Sequence, residues 1–280
     1  MVFNDEIVNM MNIKIEEYYI CYFDILGYRE YMESNPAKHK SFLANLEAIV
    51  AKVQKLIQEN CNGFSIQYRT YSDNFLLFSN RATLQNDEEM LKTFSRIIRK
   101  IQIILLADFN LLIRGGITIG EFYADERIVF GSGLVRAYEL EATIAKMPRI
   151  VIDKEAFDID IYSLVQSGSL AIDYDELLYV NFFYDENCLK YIRGGCINLI
   201  QSNCKYHYNI KDKQKILQRE SIIEKYIWLL IKYNSQCINL GCQNLLIDYK
   251  LRINERLMKT EVEIFEGAKK ENPMMVRRKW

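Results

Sequence analysis

The stretch EYYICYFDILGY, residues 17–28, is the most informative segment of the chain. Residues 17–23 are a short apolar and aromatic run of the kind that makes a buried β-strand. The run ends abruptly at Asp24. We therefore predict a buried strand with a carboxylate at its end.

A helix and a hairpin are predicted directly after this strand. Apolar residues recur at helical spacing from Phe42 to Ile57, and the pattern stops at Asn62 and Gly63, which form a good helix terminator. Residues 64–70 and 74–78 are then predicted as two strands joined by a tight polar turn at residues 71–73. This hairpin places Asp73 near its tip.

The next segment repeats the alternation of helix and strands. Residues 90–105 have the apolar period of a long helix, residues 111–131 indicate two strands around a turn at Ala124 and Asp125, and residues 134–145 predict a third helix before Pro148. Residues 149–153 supply one more strand. The order β-α-β-β-α-β-β-α-β predicts an α+β fold with a ferredoxin-like βαββαβ core, in which helices pack on an antiparallel sheet.

This pattern loosens after Asp153, which suggests two domains, residues 1–153 and residues 154–280. The second part is expected to be a partly helical C-terminal extension that packs on the first domain or on a dimer partner. It contains a candidate strand at residues 177–184 and a long amphipathic helix at residues 216–231, and it ends in a basic tail.

Composition excludes several classes of function. The formal net charge of −1 over 280 residues offers no general attraction to nucleic acid or to an anionic membrane. Seven cysteines without a C-x-x-C pair, and only two histidines, argue against a disulfide framework and a zinc site. No apolar stretch is long enough to cross a membrane, and acids stand where a signal peptide needs a basic region. We expect a cytoplasmic protein.

Two carboxylates carry the chemical hypothesis. Asp24 and Asp73 follow or precede adjacent buried strands, so both should point to one spot at the edge of the sheet. A hard divalent cation needs such oxygen ligands, with substrate phosphates completing its shell. Alternatively, Asp24 caps a helix and Asp73 only turns a hairpin, since Asp favours both positions.

Four motifs in order resemble class III nucleotidyl cyclases over about residues 18–153. FDILGY (residues 23–28) resembles the first metal-binding strand of that family, and RTYSDNF (69–75) resembles its second hairpin. IRGGITIGEF (113–122) is similar to the R-x-G-I-x-x-G strand, and FGSGLVRAYELE (130–141) stands in place of the helix that usually reads G-x-x-V-N-x-A-x-R-L. Details such as the SDN turn and PRIVID (148–153) resemble the bacterial pyrimidine cyclases of Pycsar anti-phage systems.

The resemblance implies a site and a reaction. Asp24, Asp73 and the backbone carbonyl of Ile25 would bind two divalent ions, Mn²⁺ or Mg²⁺, and the amides of Gly27 and Tyr28 would meet phosphates. The active sites of this family form between two catalytic domains, so a homodimer is implied. Such enzymes make cyclic UMP or cyclic CMP in antiviral defence, and a separate effector protein reads the product.

The residues that would recognise the base point away from purines. In the purine cyclases of this family a Lys or Glu selects the base four residues before the second metal aspartate, and Arg69 stands there. Arginine only donates hydrogen bonds, which suits the O4 and O2 acceptors of uracil. Tyr68 or Tyr71 could pack against a small ring, but strand alternation allows only one of Tyr68 and Arg69 to face the pocket. Ile128 stands near the position of the acidic purine-reading residue.

The sequence departs from the family at the transition-state residues. The usual Asn and Arg fall on Val135 and Glu139, which cannot donate to a pentavalent phosphorus. Arg136 lies one position away and is the candidate catalytic arginine, while Arg114, or Lys146, could bind the triphosphate. Arg114 could equally serve only to hold its strand and turn.

These observations favour a uridylate cyclase that converts UTP to cyclic UMP and pyrophosphate. The alternatives are a cytidylate cyclase acting on CTP and a catalytically silent homologue that binds nucleotide. A diguanylate cyclase fits poorly because the G-G-D/E-E-F turn is missing. His39 and His207 are interpreted as surface or packing residues.

Overall fold

The computed structural model describes residues 14–28, 32–33, 37, 39–60, 65–83, 86–204, 213–254 and 259–264. The chain divides into two compact units, Met1–Tyr184 and Asp185–Trp280. This division lies well after the predicted boundary at residue 153. The difference arises because two short strands beyond that boundary belong to the sheet of the first unit.

A single twisted sheet organises the first unit. Its strands are β1 (Glu16–Ile25), β2 (Gln67–Tyr71), β3 (Asn74–Asn80), β4 (Ile113–Ala124), β5 (Val129–Phe130), β6 (Ile150–Ile152), β7 (Leu170–Ile172) and β8 (Leu178–Val180). The order across the sheet is β2-β3-β1-β4-β6-β8-β7, with β5 paired to β4. β4 and β6 run parallel, and the other described pairs run antiparallel.

The helices of this unit are α1 (His39–Asn60), α2 (Asp87–Phe109), α3 (Ser132–Glu139) and α4 (Ile161–Gln166). α2 begins where Asn86 caps it by accepting a hydrogen bond from the Glu89 amide, and it ends at Asn110 in a left-handed conformation. α3 continues directly into a π-helical turn, Leu140–Ile144, closed by the bond from the Ala145 amide to the Leu140 carbonyl at 2.7 Å.

Strand alternation gives the sheet two different faces. On β1, the odd-numbered residues 19–25 are buried with residues of α1 and α2 in the main core. The even-numbered residues Ile20 and Tyr22 face the opposite side and pack with Leu76, Phe78 and the Ala137 of α3. Asp24 has the same parity, so the alternation assigns it to the α3 face.

Glycines allow α3 to lie directly on this face. A Cβ on Gly120 would lie 2.7 Å from the Cα of Gly133, and a Cβ on Gly116 would lie 2.3 Å from the Cβ of Leu140. Since Cβ atoms do not approach other atoms so closely, helix and strand are in contact through glycine. The path of α3 over β4 is thereby fixed at both of its ends.

A buried ion cluster stabilises the far side of the sheet. Arg149, just before β6, is fully buried and binds the carboxylates of Asp173 and Asp175. Its own backbone carbonyl accepts a hydrogen bond from the Gly115 amide at 3.2 Å. A buried arginine left without its acids would be strongly destabilising, so these three residues must act together.

The second unit contains α5 (Glu186–Asn203), α6 (Lys213–Asn239) and the hairpin of β9 (Tyr249–Asn254) and β10 (Lys259–Ile264). Asp185 caps α5 by accepting from the Cys188 amide. The buried Tyr233 hydroxyl contacts the carbonyls of Leu189 and Leu245, and Asn234 exchanges two hydrogen bonds of 2.9 Å with Ile247. These bonds join α6 to α5 and to the segment that follows it.

The predicted α+β class is confirmed, with helices packed on a largely antiparallel sheet. The three predicted helices of the first domain lie at α1, α2 and α3, the hairpin at β2 and β3, and the helix of the extension within α6. The sequence patterns missed α4, β7, α5 and the β9–β10 hairpin. The terminator at Asn62 and Gly63, His207 and the basic tail lie outside the described residues. Within the described part of the chain, no helix is both long and apolar enough to cross a membrane.

Candidate active site

The candidate site lies at the C-terminal end of β1, on the α3 face. In the register of the sheet, Asp24 stands opposite Asn74 of β3 and opposite Arg114 of β4. Tyr71 of β2 stands opposite Asn74 in turn. Residues opposite each other in antiparallel strands project to the same side, so one row of the sheet presents Tyr71, Asn74, Asp24 and Arg114 together.

Asp73 is brought to the same row by the β2–β3 turn. Ser72 takes a left-handed conformation with φ of 61°, which allows this tight turn. The backbone carbonyl of Asp73 accepts a hydrogen bond of 3.2 Å from the amide of Ile25, the residue that follows Asp24. The two aspartates that the sequence singled out are therefore neighbours at one end of the sheet.

Asn74 links the two acidic positions. Its Nδ2 lies 3.4 Å from Oδ1 of Asp73, and its Oδ1 accepts a hydrogen bond of 2.7 Å from the hydroxyl of Tyr22. Burial raises the pKa of Tyr22 to about 12, and the nearby charges of Glu141, Asp24 and Asp73 contribute to that rise. The Tyr22 hydroxyl thus stays a hydrogen-bond donor at neutral pH and senses all three acids.

Arg114 lies between two carboxylates. Its Nε and Nη2 donate to Oδ1 and Oδ2 of Asp24 at 3.3 and 3.4 Å. The same Nη2 lies 2.5 Å from Oε1 of Glu141, an ionic contact that lacks the alignment of a hydrogen bond. Arg114 is therefore closer to Glu141 than to Asp24.

Glu141 is the residue of this site that the sequence patterns missed. Only 5% of it is exposed, and burial, followed by the charge of Asp24, raises its pKa to about 7, although Arg114 acts in the opposite direction. A signal was present, because Gly133, Ala137 and Glu141 recur every four residues and therefore share the buried face of the helix. An acid on such a face needs a polar partner.

The π-helical turn determines where the Glu141 side chain points. A π turn is wider than an α turn and shifts the residues within it around the helix axis, and such turns are frequent at functional sites. Leu140 and Glu141 are both buried in this turn, Leu140 against Gly116 and Glu141 against Arg114. Tyr138 precedes them and packs edge-on against Tyr22, with ring centroids 5.9 Å apart.

Arg69 and Tyr71 project to the face of the site, and Tyr68 projects to the other face. Arg69 pairs with Leu76, which belongs to the cluster under α3, whereas Tyr68 packs on the main core. The Arg69 guanidinium lies over the Phe78 ring at 5.8 Å and donates to the Asp125 carbonyl at 3.3 Å. Tyr71 is about half exposed. Of the two neighbours Tyr68 and Arg69, Arg69 is thus the one that lies on the face of the candidate site.

Arg136 is not part of the Asp24 cluster. It makes two hydrogen bonds, of 2.8 and 2.9 Å, to Asp153, and it also contacts Glu139. Asp153 in turn accepts from Thr118, which lies four residues along β4 from Arg114, or about 13 Å at the usual strand rise. Hydrogen bonds from Arg136 are the main reason why the pKa of Asp153 is lowered. Within one chain, Arg136 is occupied by these acids.

The turn after β1 leaves its backbone accessible. Gly27 has a φ of 84°, and among the described residues, apart from its two chain neighbours, no atom lies within 4 Å of where its Cβ would be. The Leu26 amide is used in a bond to the Leu112 carbonyl, and the Tyr28 ring packs on Phe42. Ile25 is buried in the core, so only its backbone can take part in a site.

The donor set suits a hard divalent cation that keeps open coordination positions. Asp24, Asp73 and a backbone carbonyl offer only oxygen ligands, as Mg²⁺ and Mn²⁺ prefer. Among the residues that the structure describes, no three His, Cys, Asp or Glu side chains are grouped so as to hold a metal ion by themselves. Any ion here would share its shell with water and with oxygens of a bound ligand.

Comparisons with known proteins give a structural likeness only. No family model matches the chain, and no curated protein matches it. The solved structure of the adenylyl cyclase CyaB from P. aeruginosa is similar over 60% of this chain and 93% of its own, at 18% identity and a TM-score of 0.43. The solved structure of the guanylyl cyclase Cya2 is similar over 60% of this chain and 92% of its own, at 15% identity and a TM-score of 0.40. The solved structure of the catalytic core of a rhodopsin-guanylyl cyclase is similar over 60% of this chain and 96% of its own, at 14% identity and a TM-score of 0.44.

Proposed function

We propose that this protein is a metal-dependent pyrimidine nucleotide cyclase, a lyase that converts UTP to 3′,5′-cyclic UMP and pyrophosphate. The observation that carries the proposal is that Asp24 and Asp73 lie at the same end of neighbouring strands, where the Ile25 amide bonds to the Asp73 carbonyl. Two carboxylates from separate segments, close to an arginine and an accessible glycine turn, are what binding of a metal–triphosphate complex requires.

The reaction closes a ring within one nucleotide. The 3′-oxygen of the ribose bonds to the α-phosphorus, the bond from that phosphorus to the oxygen bridging to the β-phosphate breaks, and pyrophosphate leaves with that electron pair. The proton of the 3′-hydroxyl passes to solvent. Two bound Mn²⁺ or Mg²⁺ ions would supply a more acidic hydroxyl and neutralise charge on the triphosphate. Asp24, Asp73 and the Ile25 carbonyl are the groups that would hold them.

The chain also offers groups for the rest of the substrate. The open backbone at Gly27 and Tyr28 is placed directly after the metal-binding strand, where amides can donate to phosphate oxygens. Arg114 supplies a cationic side chain in contact with Asp24. Arg69 would donate to the uracil carbonyl oxygens, and the half-exposed Tyr71 would pack against the small ring.

A homodimer with its active sites at the interface is part of the proposal. Large apolar side chains are more than half exposed on the β4–β5 hairpin, on α3 and on β2: Ile128, Phe130, Val135, Tyr138 and Tyr71. A patch of this kind on a water-soluble chain is a common sign of an interface. In such a dimer Arg69 of one copy would read the base of a nucleotide held by Asp24 and Asp73 of the other.

A second candidate is a homologue that binds nucleotide without turnover. It is favoured by the contacts of Arg136, because this candidate catalytic arginine is bound to Asp153 and Glu139. Val135 and Glu139 on the same helix cannot supply the missing donors. A cytidylate cyclase is the variant of the first candidate in which the base pocket accepts cytosine.

The biological setting that we propose is antiviral defence in a bacterium. The support is the resemblance of residues 18–153 to Pycsar cyclases, in which a cyclic pyrimidine nucleotide acts as second messenger. A separate effector protein would read the product.

The decisive experiment is turnover of each nucleoside triphosphate with Mn²⁺, with the product identified by mass spectrometry. We expect cyclic UMP from UTP, and a loss of at least about 100-fold in the Asp73→Asn variant. Conversion of ATP or GTP alone would contradict the pyrimidine assignment. Tight binding of UTP without release of pyrophosphate would instead establish the silent homologue.

A further inference from the structure

Glu141 and Arg114 form an ion pair beside the candidate metal site. The binding of metal by Asp24 and Asp73 gives no role to Glu141. The Arg114 guanidinium contacts the carboxylates of both Asp24 and Glu141. A positive charge therefore lies against one of the groups that would bind a divalent cation. Such a charge competes with the cation for Asp24.

The two contacts of Arg114 are unequal. Its bonds to Asp24 measure 3.3 and 3.4 Å, near the long limit for a hydrogen bond, whereas Glu141 lies 2.5 Å from Nη2. The Glu141 side chain is 6% exposed and is held in a π-helical turn, while the Asp24 side chain is 18% exposed. Arg114 thus lies nearer to Glu141, the more buried of the two carboxylates, than to Asp24.

We infer that Glu141 is a positioning residue that draws Arg114 away from Asp24 and so frees Asp24 for a divalent cation. This inference rests on the proposed function, because it assigns Asp24 to the metal site. When a cation arrives, the two long bonds to Asp24 are released and Arg114 stays bound to Glu141. Without Glu141, Arg114 closes fully onto Asp24.

This arrangement makes predictions of opposite sign for the two partners. Arg114→Gln removes the competing charge, so Mn²⁺ binds more tightly. Glu141→Gln weakens the hold on Arg114, so Arg114 neutralises Asp24 and Mn²⁺ binds more weakly. Glu141 acts on Mn²⁺ binding mainly by holding Arg114. When Arg114 has already been replaced by glutamine, the Glu141→Gln substitution should therefore change Mn²⁺ affinity only slightly. Glu141 acting only as a nearby negative charge would give additive effects instead.

The experiment measures binding of Mn²⁺ alone to the full chain, by electron paramagnetic resonance of the free ion or by calorimetry, with no nucleotide present. We expect about three- to tenfold tighter binding for Arg114→Gln and a comparable weakening for Glu141→Gln. The double variant should differ from Arg114→Gln by less than about twofold. Arg114→Lys is a conservative variant that keeps the charge but lacks the fork needed to span two carboxylates, so its affinity should fall between wild type and Arg114→Gln.

Two controls separate this inference from general effects. Lys92→Gln makes the same change in net charge at an exposed position on α2, where Lys92 contacts Glu88, and should leave Mn²⁺ affinity unchanged. Thermal unfolding of each variant checks that it is folded. Arg114→Lys preserves a measurement if Arg114→Gln does not fold.

The failures are distinguishable. Binding of Mn²⁺ that Asp24→Asn abolishes, but that Arg114→Gln leaves unchanged, would overturn this inference and leave the proposed function standing. Additive effects in the double variant would also overturn it. Absence of Mn²⁺ binding in every variant would overturn the metal site and this inference together, whereas the signs expected here without any nucleotide turnover would support the inference and reject the cyclase.

Discussion

The two ends of β1 both carry clustered acids, but they differ in how those acids are satisfied. At the N-terminal end, Arg81 makes bonds of 3.1 and 2.8 Å to Asp87 and one of 2.8 Å to Glu17. Tyr19 also donates to Asp87 at 2.5 Å. Glu17, Arg81 and Asp87 line an open groove of about 850 Å³. In this network two acids share one arginine, through short, well-directed bonds.

At the C-terminal end, one arginine also contacts two acids, but its bonds to one of them are longer. Arg114 faces Asp24 over longer bonds than Arg81 makes with Asp87, and the third acid, Glu141, is buried with a raised pKa. The comparison shows that a cluster of acids alone does not indicate a site. An acid that remains poorly compensated in the folded protein can still gain stability from a ligand.

The largest expected effect is on turnover. Asp24→Asn should lower conversion of UTP at least about 100-fold, because an amide is a poor ligand for a divalent cation. Asp87→Asn at the other end of the strand is the matched control. It should keep the rate constant within about twofold and lower the free energy of unfolding by about 1–3 kcal/mol, because it weakens the bonds from Arg81. Equal losses of turnover in both variants would remove the distinction between the two ends.

The second effect concerns the packing of Leu140 on Gly116, which holds the π turn that contains Glu141. Gly116→Ala would place a Cβ 2.3 Å from the Cβ of Leu140 and 2.6 Å from its Cδ1. We expect the free energy of unfolding to fall by about 2 kcal/mol or more, measured by urea denaturation, with weaker Mn²⁺ binding because the π turn is displaced.

Gly194→Ala is the matched control for this substitution. Gly194 lies within α5, and beyond the adjoining backbone of that helix no atom in the described part of the chain is within 4 Å of its added Cβ. Alanine should therefore stabilise the helix there by about 0.5–1 kcal/mol. A Gly116→Ala variant as stable as the wild type would show that the contact of Leu140 with β4 is not needed.

The smallest effect is a pH dependence that comes from Glu141. Its pKa in the folded protein, about 7, lies above the ordinary value of 4.5, so the folded state holds a proton that the unfolded state has released. The free energy of unfolding should therefore fall as pH rises from about 4.5 to about 7, by roughly 1–3 kcal/mol from this group. Urea denaturation at several pH values measures this slope.

Two substitutions sharpen the assignment of that slope. Glu141→Gln should remove most of it, because glutamine does not titrate. Glu17→Gln, at the other end of β1, changes an exposed ion pair and should alter stability by less than about 1 kcal/mol while the slope persists, since Glu141 is intact. A slope that survives in Glu141→Gln would assign the pH dependence to another group.

Local patterns predicted much of the fold and part of the site. The apolar run of residues 17–23 and the helical period of residues 42–57 and 90–105 reflect burial within a single element, and such patterns depend on neighbours in sequence. Short elements such as α4 and β7 were missed because six or three residues contain too little periodicity. The predicted boundary at residue 153 differs from the division after Tyr184 for the same reason.

The sequence by itself determined that two acids would end neighbouring strands, that Arg69 and Tyr68 would face opposite sides, and that the chain would alternate helices with paired strands. Only the tertiary structure decided that Arg114 lies between Asp24 and Glu141, that Arg136 is bound to Asp153, and that Arg149 is buried with two acids. The physical reason is the separation in sequence between the residues that interact. Alternation and helical period are properties of adjacent residues, whereas an ion pair between residues 17 to 90 positions apart depends on strand register and on how closely glycine allows a helix to approach a sheet.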